Sequence, residues 1–269
     1  MTPRTVAFLT DFGLNDPFVG ICHGVILSED RSIPIVDVTH SVPRQNVRAG
    51  AQTLADAAPF MPAETVFLAV VDPGVGSDRR AVAIATADGS ILVGPDNGLL
   101  TIAVEIRGGA RRAFEISESD WCHETISPTF HGRDVFAPVA AKLAGGASIE
   151  ESGEEIPPDS LVTFRAPRAE WSGDALATSV IDVDDFGNVR LAGNLRVLGD
   201  IYRGQAFEVR TEAGRAEAMA AATYSDGHKG NLLLIEDSTG ALALCVTEGS
   251  AAEQLKLAAG DKVRLRPTG

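Results

Sequence analysis

Val70-Val71-Asp72-Pro73-Gly74-Val75-Gly76-Ser77-Asp78-Arg79-Arg80 is where an apolar, β-branched run, Val66 to Val71, gives way to a carboxylate, a Pro-Gly turn and two arginines. A short apolar run bounded by turn residues predicts a buried strand, with Asp72 at its end. Open α/β sheets keep their ligands beyond the carboxyl ends of their strands, so the loop from Asp72 to Arg80 is a candidate site. A second stretch, Pro128-Thr129-Phe130-His131-Gly132-Arg133-Asp134, sets a histidine among Gly, Arg and Asp just ahead of an apolar helical segment, Val135 to Leu143. An acid, a guanidinium and an imidazole can then meet in one cleft.

On either side of these stretches, residues 5–10, 34–39, 65–71, 81–86 and 90–94 read as short strands rich in Val, Ile and Ala. Helical patterns at 17–28, 46–59, 97–107 and 133–144 lie between or after them, the alternation of an α/β domain with a largely parallel central sheet. The character changes around residues 145–173, where Glu150, Glu151, Glu154 and Glu155 precede Pro157-Pro158 and Pro167 in an acidic, proline-bearing connector. Its make-up favours an extended spacer. Beyond it come β-like runs at 178–183, 205–210, 231–236, 241–247 and 262–265, separated by Gly, Asn and Asp turns. The expected organisation is an α/β domain over 1–155, a connector over 156–170, and a smaller β-barrel-like domain over 171–269.

The chain has 269 residues, of which 45% are hydrophobic, ample for one large domain or two unequal ones. A formal charge of −14 opposes binding to a nucleic-acid backbone or an anionic membrane. No apolar run approaches the roughly 20 residues of a membrane span, and the Met1-Thr2-Pro3-Arg4 start lacks the apolar core of a signal peptide, so a cytoplasmic protein is expected. Cys22, Cys122 and Cys245 are odd in number and widely separated, which predicts buried free thiols. His23, His40, His123 and His228 show no metal-ligand spacing with one another, and no metal is expected.

Each candidate side chain has a plainer alternative. Asp11, after the strand-like Val6-Ala7-Phe8-Leu9-Thr10, suits two vicinal ribose hydroxyls or the N-cap of the next helix. Asp72 and Arg79 suit a reaction centre or an ion pair that buttresses a turn; Arg80 reads as a solvated neighbour. His131 suits proton transfer or simply a satisfied histidine at a helix start. The stretch from Asp72 to Arg80 lacks both the Gly-x-x-x-x-Gly-Lys-Ser/Thr and the Gly-x-Gly-x-x-Gly patterns, so nothing in it points to ATP or NAD.

These two stretches, together with Thr10-Asp11-Phe12-Gly13, Gly94-Pro95-Asp96-Asn97-Gly98-Leu99-Leu100 and Asp184-Asp185-Phe186-Gly187-Asn188-Val189, resemble the S-adenosylmethionine hydroxide adenosyltransferases, relatives of the S-adenosylmethionine-dependent fluorinase and chlorinase. The resemblance runs in order over nearly the whole chain. It implies Asp72, Arg79 and His131 as the catalytic set and Asp11 as the ligand of the ribose hydroxyls. Asp16 is implied near the methionine ammonium, where helix capping before Pro17 is the alternative. Asp184 is implied at the methionine end and Asn188 at the adenine. Tyr224 is implied to stack on adenine, against an alternative as an edge tyrosine of the barrel, and Ser238 to bind the methionine carboxylate. Thr239 stands where some halogenating relatives have arginine. The halogenating relatives carry Tyr in place of His131, and the fluorinase has Ser in place of Gly132 and a loop insertion not found here.

The implied reaction is hydrolysis of S-adenosyl-L-methionine to adenosine and L-methionine by in-line attack of activated water on the ribose 5′-carbon, with no cofactor and in a homotrimer whose α/β and β halves meet across subunit interfaces. A halide nucleophile needs only desolvation and a few donors, whereas water, with a pKa of about 15.7, needs a proton acceptor and a cation. Chloride transfer and non-catalytic binding of S-adenosylmethionine or adenosine are the alternatives; the His131 position disfavours the first, and an intact Asp72, Arg79 and His131 set speaks against the second.

Overall fold

A computed structural model describes residues 2–164, 167–199 and 204–268. The chain divides into two compact units, 1–164 and 165–269.

The first unit runs β1 (Val6–Thr10), α1 (Phe18–Glu29), β2 (Ile35–Thr39), α2 (Val47–Ala57), β3 (Val66–Val70), β4 (Ala81–Thr86), β5 (Ile91–Pro95), α3 (Thr101–Ile106), β6 (Ala110–Glu115), α4 (Ala137–Ala144) and β7 (Glu154–Ile156). The sheet order is β2-β1-β3-β5-β4-β6-β7. The expected parallel sheet is its β2-β1-β3-β5 part; β4, β6 and β7 extend it antiparallel. The short turn between β4 and β5 allows no other pairing, because parallel neighbours need a long crossover. Asp88 shapes that turn by accepting from the Thr86 hydroxyl and the Ser90 N–H.

Both faces of the sheet are covered, which explains why its central strands read as unbroken apolar runs rather than alternating ones. Along β3, Val66, Leu68 and Val70 join the core under α1 and α4. Phe67, Ala69 and the following Val71 join the core under α2 and α3. Burying each large apolar side chain contributes roughly 1.5–3 kcal/mol, and this fixes the register that delivers Asp72 to the end of the strand.

The helical pattern at 133–144 is two structures. Gly132–Phe136 form a π-turn, closed by the Ala137 N–H donating to the Gly132 carbonyl, and α4 follows. Pro138 near the start of α4 has no N–H to offer the Asp134 carbonyl, which accepts from His123 N–H instead (2.8 Å). The acidic stretch is also more attached than a spacer. Glu154–Ile156 add a strand to the sheet, and Val162 N–H donates to Asp96 (2.8 Å). Residues 165 and 166 of the expected connector lie outside the described residues.

The second unit contains β8 (Glu170–Ser172), β9 (Ala175–Val183), β10 (Val189–Leu191), β11 (Ala206–Thr211), β12 (Gly214–Ala220), β13 (Leu232–Glu236), β14 (Leu242–Val246), α5 (Ala251–Leu255) and β15 (Lys262–Thr268). Seven strands close a barrel in the order β10-β14-β13-β12-β11-β15-β9, with β9 returning to β10 and β8 appended to β9. Alternate residues fill it, among them Phe207 and Val209, Leu232 and Leu234, Leu242 and Leu244, and Val263 and Leu265. No described helix is long and apolar enough to cross a membrane.

Candidate active site

Three loops of the first unit build the site. The β3 end is held by Asn97, whose side-chain amide donates to the Val71 carbonyl (2.9 Å) while its oxygen accepts from Leu99 N–H. Asn97 thus positions Asp72, a role that its Pro-Asp-Asn-Gly surroundings do not announce in the sequence. Asp72 then accepts from Arg79 Nε at both carboxylate oxygens (3.0 and 3.1 Å) and from Arg79 Nη2 (2.5 Å). Both side chains are nearly buried, at 6% and 11% exposure, so water screens the pair weakly. Arg79 Nη2 also reaches His131 Nδ1 (2.8 Å), and its guanidinium lies over the Phe136 ring.

The order is carboxylate, guanidinium, imidazole. A guanidinium has no lone pair to offer, so Nδ1 of His131 is the acceptor and the neutral ring carries its proton on Nε2. Burial, and then the positive charge of Arg79, hold the His131 pKa below its ordinary value, outweighing the opposite pull of Asp72 and Asp134. The Nη1 group of Arg79 has no protein partner among the described residues, which leaves two N–H donors for a ligand.

The approach of the loops depends on two glycines. Gly76 has φ +76°, and a Cβ there would lie 2.4 Å from the Pro128 carbonyl oxygen, so only glycine lets the Asp72 loop touch the His131 loop. A Cβ at Gly132 would meet the Phe12 ring at 2.9 Å, which brings the loop after β1 against the same place. Phe12, Phe18 and Phe130 pack edge to face there. Fully buried Asp134 braces the His131 loop by accepting from Ser127 N–H (2.8 Å) and from Arg133 (2.5 and 2.8 Å).

Asp11 caps no helix; one of its oxygens accepts from Gln45 N–H (2.7 Å), leaving the other for a ligand. Asp16 is exposed, and α1 begins at Phe18 with Pro17 as its N-cap and no side-chain cap. Arg80, read as a solvated neighbour, is instead a clamp: it donates to Asp96 (2.9 and 2.6 Å) and to Ser160 (3.1 and 2.6 Å). Its partners lie 16 and 80 residues away, which sequence spacing could not reveal.

In the second unit, Asp184 accepts from Phe186 N–H (2.9 Å), Asn188 N–H (2.8 Å) and the Asn188 amide (2.8 Å), closing the turn between β9 and β10. Tyr224 lies on a one-turn helix between β12 and β13, not on an edge strand. Burial, and after it the influence of Cys245, Asp184 and Asp237, raises its phenol pKa. Ser238 is exposed on the turn after β13. Asp237 holds that turn by accepting from Thr239 N–H, the Thr239 hydroxyl and Ala241 N–H, and it pairs with Arg190 (2.9 Å).

Among the described residues, His23, Asp37 and His40 converge, although their spacing in the chain had suggested nothing. The three cysteines are free; Cys22 and Cys245 are buried, with burial pushing their pKa values up to about 12 and about 11.

A loop-borne acid, guanidinium and imidazole thus stand at the strand ends of an α/β unit, and a closed barrel follows in the chain. The chain belongs to the SAM hydroxide adenosyltransferase family, matching its N-terminal domain over residues 6–153 and its C-terminal domain over 178–264. It is 45% identical over 260 residues to an (R)-S-adenosyl-L-methionine hydrolase of Salinispora tropica, covering 97% of both chains. A protein of the same name from Thermus thermophilus is 37% identical, with 97% of this chain and 99% of that one covered. The crystal structure of an uncharacterized conserved protein from Thermotoga maritima superposes with a TM-score of 0.92 at 34% identity, over 97% of this chain and 99% of that one.

Proposed function

We propose that this chain hydrolyses S-adenosyl-L-methionine to adenosine and L-methionine. The observation that carries the reading is the continuous Asp72, Arg79 and His131 contact, with two donors of Arg79 left over. The substrate's sulfonium makes methionine a neutral leaving group, so the protein's task is to deliver an aligned oxygen nucleophile. Asp72 orients Arg79 and offsets its charge beside a cationic substrate. Arg79 lowers the cost of hydroxide character on the bound water, and no other cation is needed.

A guanidinium cannot relay a proton, so Asp72 is not the base. His131 is neutral at physiological pH, and its free lone pair is the one on Nδ1 that faces Arg79. Arg79 therefore turns an N–H from Nδ1 toward the nucleophile as His131 takes the proton of water. The new bond joins the water oxygen to C5′, the C5′–S bond breaks, and its electron pair leaves on methionine. Asp11 holds the ribose in this reading, while Asp16, Asp184, Asn188, Tyr224 and Ser238 bind the remaining parts of the substrate.

Incubation with S-adenosylmethionine in oxygen-18 water tests the reaction, with label expected in adenosine and none in methionine. Unlabelled adenosine, or a chlorinated nucleoside formed in chloride buffer, overturns it. A cytoplasmic homotrimer belongs to the same reading and rests on the family resemblance. Light scattering should give a trimer, and exchanged His131→Ala and Asn188→Ala subunits should recover part of the activity; an active monomer would remove this element.

A further inference from the structure

We infer that His23, Asp37 and His40 form a binding site for a divalent transition metal of the zinc and cobalt class. His23 projects from α1, Asp37 lies on β2, and His40 follows β2 directly. His23 Nε2 lies 2.9 Å and His40 Nε2 lies 3.0 Å from the same oxygen, Asp37 Oδ1. All three atoms fall within 4.8 Å of one another. Ligand atoms around a tetrahedral zinc stand about 3.3 Å apart, so a small opening of the cluster admits an ion bonded to each.

Independent support comes from His40. The residue is 97% buried, and its Nε2 has no hydrogen-bond partner, although it stands in ion-pair contact with Asp37 Oδ1 at 3.0 Å. A buried ring nitrogen that touches a carboxylate without making a hydrogen bond is poorly satisfied, and a bound cation would satisfy it. Its other nitrogen, Nδ1, lies 2.9 Å from the buried Thr10 hydroxyl. A proton on Nδ1 shared with that hydroxyl frees the Nε2 lone pair for a metal and fixes the ring orientation, as outer-shell partners of ligating histidines do. The Phe8 ring packs against both imidazoles, at centroid distances of 5.8 and 4.8 Å, and holds them facing Asp37. Two imidazoles and one carboxylate are a borderline donor set, unsuited to magnesium or calcium. Asp37 is 44% exposed, which leaves water access to the remaining coordination positions.

None of the three belongs to the Asp72, Arg79 and His131 set, so the role is structural: the ion would join α1 to the end of β2. Titration of Co2+ into the full chain, stripped beforehand with chelator, tests this by visible d–d absorption and calorimetry. The expected result is one Co2+ per chain with a Kd of about 10 µM or tighter, displaced by Zn2+ and accompanied by a higher Tm. His23→Gln and Asp37→Asn should each weaken it roughly tenfold or more, while His123→Gln and His228→Gln leave it unchanged. His23 and Asp37 are partly exposed, so these variants stay informative even where a His40 variant fails to fold. Absence of saturable binding, or binding that persists in both His23→Gln and Asp37→Asn, overturns the site.

Discussion

In the α/β unit the Asp72 carboxylate reaches out of its strand to Arg79 and through it to His131, and donors are left over. In the barrel the Asp184 carboxylate folds back on its own turn and accepts three N–H groups from Phe186 and Asn188. Asp237 does the same for the turn between β13 and β14, with Thr239 and Ala241. Side chains of one type, quoted from motifs of similar look, thus have different first duties. The α/β carboxylate organises a charged side chain, and the barrel carboxylates organise backbone. Substitutions in the two units should therefore fail in different ways.

The largest contrast is expected from Arg79→Ala and His131→Ala. Each should lower kcat by roughly a thousandfold with little change in substrate affinity, because water activation matters only in the transition state; His131→Ala should leave Tm nearly unchanged, whereas Arg79→Ala strands the buried Asp72 carboxylate and should lower it. Single-turnover rates and calorimetric binding would check this. A loss of affinity equal to the loss of rate would erase the distinction between the units. Next comes Gly76→Ala, which forces a Cβ toward the Pro128 carbonyl and parts the two catalytic loops. A displacement of this kind should cost about a hundredfold in kcat, although no charged or nucleophilic group has been changed. Unaltered kinetics would mean that the contact between the loops is incidental.

Asp184→Ala probes the other side of the comparison. It removes the acceptor for three N–H groups, and stability should drop by about 1–2 kcal/mol in denaturant unfolding, together with substrate affinity. Asp184→Asn should retain part of both, since its amide oxygen still accepts. If Asp184→Ala binds poorly yet unfolds like the parent, the carboxylate serves the ligand directly and the contrast drawn here fails for this turn.

The legibility of the chain follows the same divide. Strands β1, β3 and β5 announced themselves because burial on both faces leaves an unbroken apolar run, and Asp72 could be placed at a strand end for that reason. β6, with Arg111 and Arg112 inside it, and the three-residue β7, β8 and β10 carry no such signal. Their pairing is decided by distant partners. The meeting of Arg79 with His131 spans 52 residues; the two stretches suggest it, and the family resemblance names the residues. Arg80 illustrates the limit: next to Arg79 in sequence, it turns to Asp96 and Ser160, and nothing local distinguishes the two arginines. The convergence of His23, Asp37 and His40 was hidden likewise, since it joins a helix to the edge strand of a sheet.

The smallest expected effect is also the most specific to the ordered contact of acid, guanidinium and imidazole. His131 should titrate below the ordinary value of about 6.5, because burial and the Arg79 charge both disfavour the imidazolium. As a proton acceptor it works only when neutral, so kcat/KM should fall as pH drops through that lowered pKa and stay level above it. Asp72→Asn removes a charge that favours the imidazolium, and the His131 pKa should move further down. Arg79→Met removes one that opposes it, and the pKa should move up. Both shifts can be followed by NMR titration of the ring protons even in inactive protein, separating electrostatics from turnover. A midpoint above the ordinary value, or shifts of the opposite sign in the two variants, would mean that Arg79 does not face His131 in solution, and the unit would lose the feature that sets it apart from the barrel.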